Sequence, residues 1–244
     1  MIFFIHIPKT GGSTLSSIIL KNFLSAEVYH TDNGLATKVI KEVSSLPQYR
    51  KNNLKLVWGH MQFGVHQAFP AEPDIKYFTF LRNPIDRIVS HYYYVKSNPD
   101  HYLYKKMQKD NMSIEDYVSS GISAELSNGQ VRLLASEKYS DLLIHKYGSN
   151  NTEALENAIN NIEKYSILIG IQEYFDESLR WISESFKWTN VEYSKKNVGQ
   201  YKSLTELPEK TISIIKEFNQ LDIKLYNYAL EHFQNKLRLF NILH

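Results

Sequence analysis

Apolar residues in this chain fall into short continuous runs separated by longer stretches of helical spacing. Ile2 to Ile7 is an apolar run that ends at Pro8 and a pair of glycines, which predicts a buried strand. Ser13 to Leu24 then places Leu15, Ile18, Ile19 and Phe23 on one helical face. Asn33-Gly34 predicts a turn and Leu35 to Leu46 a helix. Leu54 to Trp58, closed by Gly59, predicts a second strand, and Ile75 to Leu81 a third. Asn83-Pro84 stops that strand and suits the first turn of a helix with Ile85, Ile88, Val89, Tyr92 and Tyr93 inward.

The middle reads as mostly helical, around 114–118 and 130–135 and over Glu153 to Lys164. Ser166 to Ile171 predicts a fourth strand and Glu173 to Phe186 another helix. Asn190 to Leu204 is polar and reads as a loop. Pro208 to about Phe233 reads as one long helix with Ile212, Ile215, Phe218, Leu221 and Leu225 on a single stripe. Strands alternating with helices predict a single α/β domain over 1–244, with a mainly parallel sheet covered by helices on both faces.

Composition narrows the chemistry. The 244 residues are 43% hydrophobic and 22% charged, which suits a globular protein rather than a disordered one. A formal net charge of +2 gives no basic field for nucleic acid. The absence of cysteine removes disulfides, thiolate metal sites and a cysteine nucleophile, and suits a reducing compartment. The N-terminal run has no basic leader and no apolar run reaches the ~20 residues that span a bilayer. A cytoplasmic protein without a transmembrane segment is expected.

Between the first strand and helix stands Ile7-Pro8-Lys9-Thr10-Gly11-Gly12-Ser13-Thr14. Glycines let the backbone curl so that several N–H groups face one concavity, and the helix N-terminus adds a positive dipole. Lys9 brings a full charge, and Ser13 and Thr14 bring hydroxyls. This is a phosphate cradle, but its lysine precedes the glycines, unlike the G-x-x-x-x-G-K-[ST] order of a nucleoside triphosphate loop. A second segment runs Phe80-Leu81-Arg82-Asn83-Pro84-Ile85-Asp86-Arg87-Ile88-Val89-Ser90-His91-Tyr92. Arg82 lies at the carboxyl end of a strand, where open α/β sheets place ligands, and Ser90 two turns into the next helix. Both can reach one phosphate. Asp86 and Arg87 read as a helix-surface or inter-helix pair.

Together these segments resemble the carbohydrate sulfotransferases of the heparan-sulfate 2-O and 6-O type. The resemblance continues through Asn128-Gly129-Gln130-Val131-Arg132, Gly170 to Leu179 and Asn219-Gln220-Leu221-Asp222. It implies a P-loop-like fold and 3′-phosphoadenosine 5′-phosphosulfate (PAPS) as sulfuryl donor, with adenosine 3′,5′-bisphosphate (PAP) as product and no metal. It assigns Lys9, Thr10, Gly11, Gly12, Ser13 and Thr14 to the 5′-phosphosulfate, and Arg82 and Ser90 to the 3′-phosphate. By position and composition it assigns the polar stretch 195–202, with Lys196 and Tyr201, to a loop closing over the nucleotide. The acceptor it implies is a glycan or a glycosylated small molecule. Ser136 stands where many relatives have glycine, which bears on the acceptor more than on the donor.

An acceptor hydroxyl needs a base, and a histidine titrating near neutrality suits that role. His60, just past the second predicted strand, is the first candidate; His66 is the second and an alternative acceptor-binding residue. His6 reads as a buried residue. Tyr93, within a run of tyrosines, and Arg132 are candidates for acceptor contact, with core packing and helix anchoring as their alternatives. Two other functions fit the same residues less well: a nucleotide kinase or other phosphotransferase, and a relative that binds nucleotide or glycan without turnover.

Overall fold

The computed structural model describes residues 1–72, 74–136, 138, 146–194 and 207–239. The stretch 195–202, with Lys196 and Tyr201, lies outside them. Five strands are described: β1 (Ile2–Ile5), β2 (Val28–Gly34), β3 (Leu56–Met61), β4 (Lys76–Leu81) and β5 (Leu168–Ile171). They form one parallel sheet in the order β2-β3-β1-β4-β5. The helices are α1 (Gly12–Asn22), α2 (Ala36–Ser44), α3 (Gln48–Asn53), α4 (Pro84–Ser97), α5 (Tyr104–Lys109) and α6 (Ile114–Ser119). They continue with α7 (Gly129–Ala135), α8 (Glu153–Lys164), α9 (Phe175–Phe186), α10 (Glu209–Phe218) and α11 (Gln220–Leu239).

Successive residues of a strand face opposite sides of its sheet, so the neighbours Phe3 and Phe4 enter different cores. Phe3, Ile5, Val57 and Leu81 pack under α2, α7, α8 and α11, through Val39, Val131, Leu155 and Leu225 among others. Phe4, Trp58, Phe78 and Phe80 pack under α1 and α9, through Leu15, Ile18, Leu179 and Ile182. Burial on both faces is why β1, β3 and β4 read as unbroken apolar runs. A third cluster contains no strand residue: Ile88, Val89 and Val95 of α4 meet Tyr117 of α6 and Ile215 of α10.

Two elements depart from the sequence reading. The segment predicted to turn at Asn33-Gly34 is the end of a strand, β2, which among the described residues lies at the sheet edge and pairs only with β3. Its Val-Tyr-His-Thr-Asp-Asn-Gly sequence lacks the apolar run of a central strand because an edge strand is covered less completely. The long C-terminal helix is two helices. They break at Asn219, whose amide donates to the Leu126 and Ile215 carbonyls (both 3.0 Å) and accepts from Asn128 N–H at 3.1 Å. The apolar stripe runs through the break because both helices cover the same interior.

This corner of the fold is polar and buried. Asp222 accepts from the amides of Gln130 (3.1 Å) and Val131 (2.8 Å), which start α7, and lies 3.6 Å from the fully buried Arg87. Arg87 thus pairs across helices with Asp222 rather than lying on the surface with Asp86. Removing one member of such a pair strands a buried charge, at a cost of about 3–5 kcal/mol.

Candidate active site

The chain leaves β1 still paired, His6 N–H donating to Gly59 O at 2.9 Å. It then turns through Lys9 at φ 70° and Gly11 at φ 93°, both left-handed. A Cβ on Gly11 would stand 3.1 Å from the Phe175 ring, and one on Gly12 only 1.5 Å from the His6 ring. Glycine at 12 therefore lets α1 start directly above His6. Thr10 is fully buried and its hydroxyl donates to Ile7 O at 2.8 Å, so its side chain braces the turn and only its main chain faces the cradle. Thr14 is buried as well, while Ser13 is exposed at the helix mouth.

Arg82, just past the end of β4, meets this turn, its Nη1 donating to Lys9 O at 3.1 Å. Its Nε is buried without a hydrogen-bond partner among the described residues. Gln130 pins the Arg82 main chain from both sides: Oε1 accepts from Arg82 N–H and Nε2 donates to Arg82 O, each at 3.0 Å. The Asp222 network holds Gln130 in turn, so the polar corner behind the sheet fixes the arginine. Lys9 Nζ lies 3.9 Å from the centroid of the Tyr94 ring. Burial, and then the nearby Arg82 charge, lower its pKa to about 8.

His60 lies on β3 beside the departing β1. Its Nδ1 is 2.9 Å from His6 O, and its ring stacks on His6 with centroids 4.3 Å apart. A carbonyl can only accept, so Nδ1 carries the proton and Nε2 of the neutral ring carries the lone pair. His6, between Gly12 and His60, is held neutral: burial, then the charges of His60, His30 and Lys9, lower its pKa to about 3. It forms the floor of the turn.

Lys9, the glycine turn, Arg82 and His60 therefore come together at the carboxyl end of the sheet. Ser90 is on α4, buried and beside His91. Three other candidates are placed elsewhere. His66 follows β3 into a short 3-10 turn and its Nδ1 meets the Tyr77 hydroxyl at 3.0 Å, near the amino end of β4. The strand's length separates it from the cradle, because the chain doubles back under the sheet after Met61. Arg132 is buried and spends its guanidinium on main-chain carbonyls, Nε to Ser127 O at 2.8 Å and Nη2 to Lys146 O at 3.4 Å, which anchors α7. Tyr93 packs partly buried against Tyr92 and the third apolar cluster. The tyrosine that reaches the cradle is the next one, Tyr94. It lies four residues after Ser90, one turn along the same helix face, and that spacing was the available signal.

Sequence reasoning also missed a triad beside the cradle. His91 Nε2 lies 3.1 Å from a Glu125 carboxylate oxygen, and Tyr117 OH lies 3.0 Å from His91 Nδ1.

The chain is similar to several known proteins. Heparan sulfate 2-O-sulfotransferase 1 of Xenopus laevis is 22% identical over 96% of this chain and 70% of its own length. Galactose-3-O-sulfotransferase 2 of Mus musculus is 21% identical over 97% of this chain and 62% of its own. The solved structure of mouse sulfotransferase SULT7A1 complexed with PAP aligns over 97% of this chain and 88% of that one, with 12% identity and a TM-score of 0.46. The model of the sulfotransferase family matches residues 1–229. That match includes the glycine turn, His60, Arg82 and the Asp222 corner, and the chain belongs to the sulfotransferase family.

Proposed function

We propose that this enzyme transfers the sulfuryl group of PAPS to a hydroxyl of a carbohydrate, with His60 as general base. The observation that carries the reading is the His60 Nδ1 contact with His6 O, which leaves the basic Nε2 at the same sheet edge as Lys9. The residues suit the donor. A turn whose left-handed Gly11 and close-packed Gly12 admit no side chain, a lysine and the N-terminus of α1 suit the 5′-phosphosulfate. The Nε of Arg82, unpartnered among the described residues, suits an anion beside it, and the 3′-phosphate is that anion in this reading.

In the transfer, His60 Nε2 takes the proton of the acceptor hydroxyl as that oxygen bonds to sulfur. The bond from sulfur to the 5′-phosphate oxygen breaks. Lys9 and the first amides of α1 stabilise the charge left on that oxygen. The donor brings an activated sulfuryl group, and the protein's part is alignment and charge stabilisation. The relatives' names point to sugar acceptors, heparan sulfate in one and galactose in the other. Among the described residues no helix is long and apolar enough to cross a membrane. A cytoplasmic location is part of this proposal, supported by the cysteine-free sequence and open to cell fractionation.

Calorimetry of PAP against ATP and AMP, without magnesium, tests the reading. PAP should bind at least ten times tighter than either. Binding of ATP alone, and only with magnesium, would overturn it in favour of a phosphotransferase.

A further inference from the structure

Beside the cradle stands a wall that the donor does not account for. Tyr94 and Tyr102 are exposed, at 43% and 70%, and lie close together. They are joined through His101, whose ring meets Tyr94 edge-on at 5.6 Å and stacks on Tyr102 at 4.7 Å. One end of the wall is Lys9, over the Tyr94 face. The other is Tyr102, whose hydroxyl is 3.4 Å from Ser123 Oγ in the turn that leads into Glu125.

Glu125 is built into place. Its main-chain carbonyl accepts from Arg87 Nη2 at 2.6 Å, its amide donates to Ser123 Oγ at 3.3 Å, and its carboxylate meets His91 at 3.1 Å. Its side chain keeps 37% exposure. The carboxylate also lies within electrostatic range of His60, His101 and Tyr102. Burial opposes its ionisation, but the His91 hydrogen bond and the charges of His91, Arg87 and His60 outweigh that and bring its pKa down to about 2. A fixed carboxylate thus lies within electrostatic range of the base and beside the wall of exposed rings.

We propose that Tyr94, His101, Tyr102 and Glu125 form the acceptor subsite, and that it takes an uncharged sugar ring rather than a uronate or an already sulfated one. The inference rests on the sulfotransferase reading above. Aromatic faces pack against the C–H face of a pyranose, and the Glu125 carboxylate accepts hydrogen bonds from ring hydroxyls next to the reacting one. A carboxylate or sulfate on the sugar would meet Glu125 instead of a guanidinium, and like charges at such range disfavour binding. Lys9, the cation that touches this wall among the described residues, is engaged by the donor.

The test is binding of two matched oligosaccharides to the PAP-saturated protein, one neutral and one with a uronate in place of a neutral sugar. The neutral one should bind about tenfold tighter. Glu125→Gln should shrink that ratio at least fivefold by admitting the uronate. Tyr102→Ala, at an exposed position that leaves the fold intact, should weaken the neutral sugar about tenfold with PAP affinity unchanged. A uronate preference in the unaltered protein, a ratio untouched by Glu125→Gln, or no binding of either sugar would overturn the inference. Loss of PAP binding by the unaltered protein would instead sink the sulfotransferase reading itself, so the two failures are distinguishable.

Discussion

The two ends of the sheet contain similar side chains and do different things with them. At the carboxyl end stand His60, Lys9 and Tyr94; at the amino end stand His66, Lys164, Tyr77 and Tyr165. The amino end even has a recess of about 530 Å³, lined by Tyr77, Lys164 and Tyr165 among others. Yet there His66 contacts the Tyr77 hydroxyl with both its ring and its amide, and its pKa is lowered by burial and then by Lys164. At the carboxyl end the glycine turn, the helix start and a pinned arginine aim at one point. Direction separates a site from a cluster of the same composition: parallel strands send every loop that follows them to one edge.

The sharpest way to break this comparison is to exchange the histidines' fates. His60→Ala should lower kcat by about 10³-fold, within the range for a general base, with PAP affinity kept. His66→Ala should leave kcat within twofold. Equal losses in both variants would mean that the base has been misplaced. Next in size, Arg82→Ala should weaken PAP about 100-fold and adenosine 5′-phosphosulfate far less, as expected for one charge-assisted contact to the 3′-phosphate. Calorimetry with the two nucleotides reads this directly, and parallel losses would show that Arg82 acts only by supporting Lys9 O.

How much of this was legible beforehand follows from range. The cradle was legible because its residues are consecutive, and a strand, a glycine pair and a helix encode it locally. The place of His60 at the carboxyl end of the sheet was legible from the strand before it, although that strand runs through His60 rather than ending ahead of it. The place of His66, six positions later, was not legible, because nothing in Gly59 to His66 announces that the chain turns back under the sheet. The double grip of Gln130 on Arg82 and the Asp222 pairing with Arg87 join residues 48 to 135 positions apart, and pairings of that range leave no periodic trace. Tyr94 lay between the two cases. Its i+4 spacing from Ser90 placed it on the right face, yet Tyr93 drew attention as a member of the same tyrosine run. The edge strand β2 was missed because half-covered strands carry a weaker apolar signal than central ones.

Lys9 sharpens the comparison through pH. With its pKa lowered to about 8 by burial and Arg82, the ammonium is lost on mild alkalinisation. The charged form binds the anion, so PAP affinity should fall above pH 8, approaching tenfold per pH unit while this group alone controls it. Lys9→Arg should bind PAP with no such decline, because a guanidinium stays charged. A flat profile in the unaltered protein would remove Lys9 from the donor site.

The smallest effect concerns acid stability, and it sets the floor of the cradle against the amino end. His6 titrates at about 3 when folded, against 6.5 as the ordinary value, with burial as the main cause. Above pH 6.5 both folded and unfolded chains leave it neutral, so its contribution is fully present. Below pH 6.5 the unfolded chain takes up a proton that the folded one refuses, and stability is lost as pH falls towards 3. The slope is at most about 1.4 kcal/mol per pH unit, and less where water reaches the ring. His66 shifts in the same direction, through burial and then Lys164, so it loses stability in the same sense. Urea midpoints between pH 7 and 4.5 should therefore fall less steeply in His6→Gln than in the unaltered protein, with His66→Gln in between. If His66→Gln flattened the profile more than His6→Gln, the stronger constraint on a neutral imidazole would lie at the amino end, and the floor of the cradle would not be the tightly closed surface that Gly12 and His60 make of it.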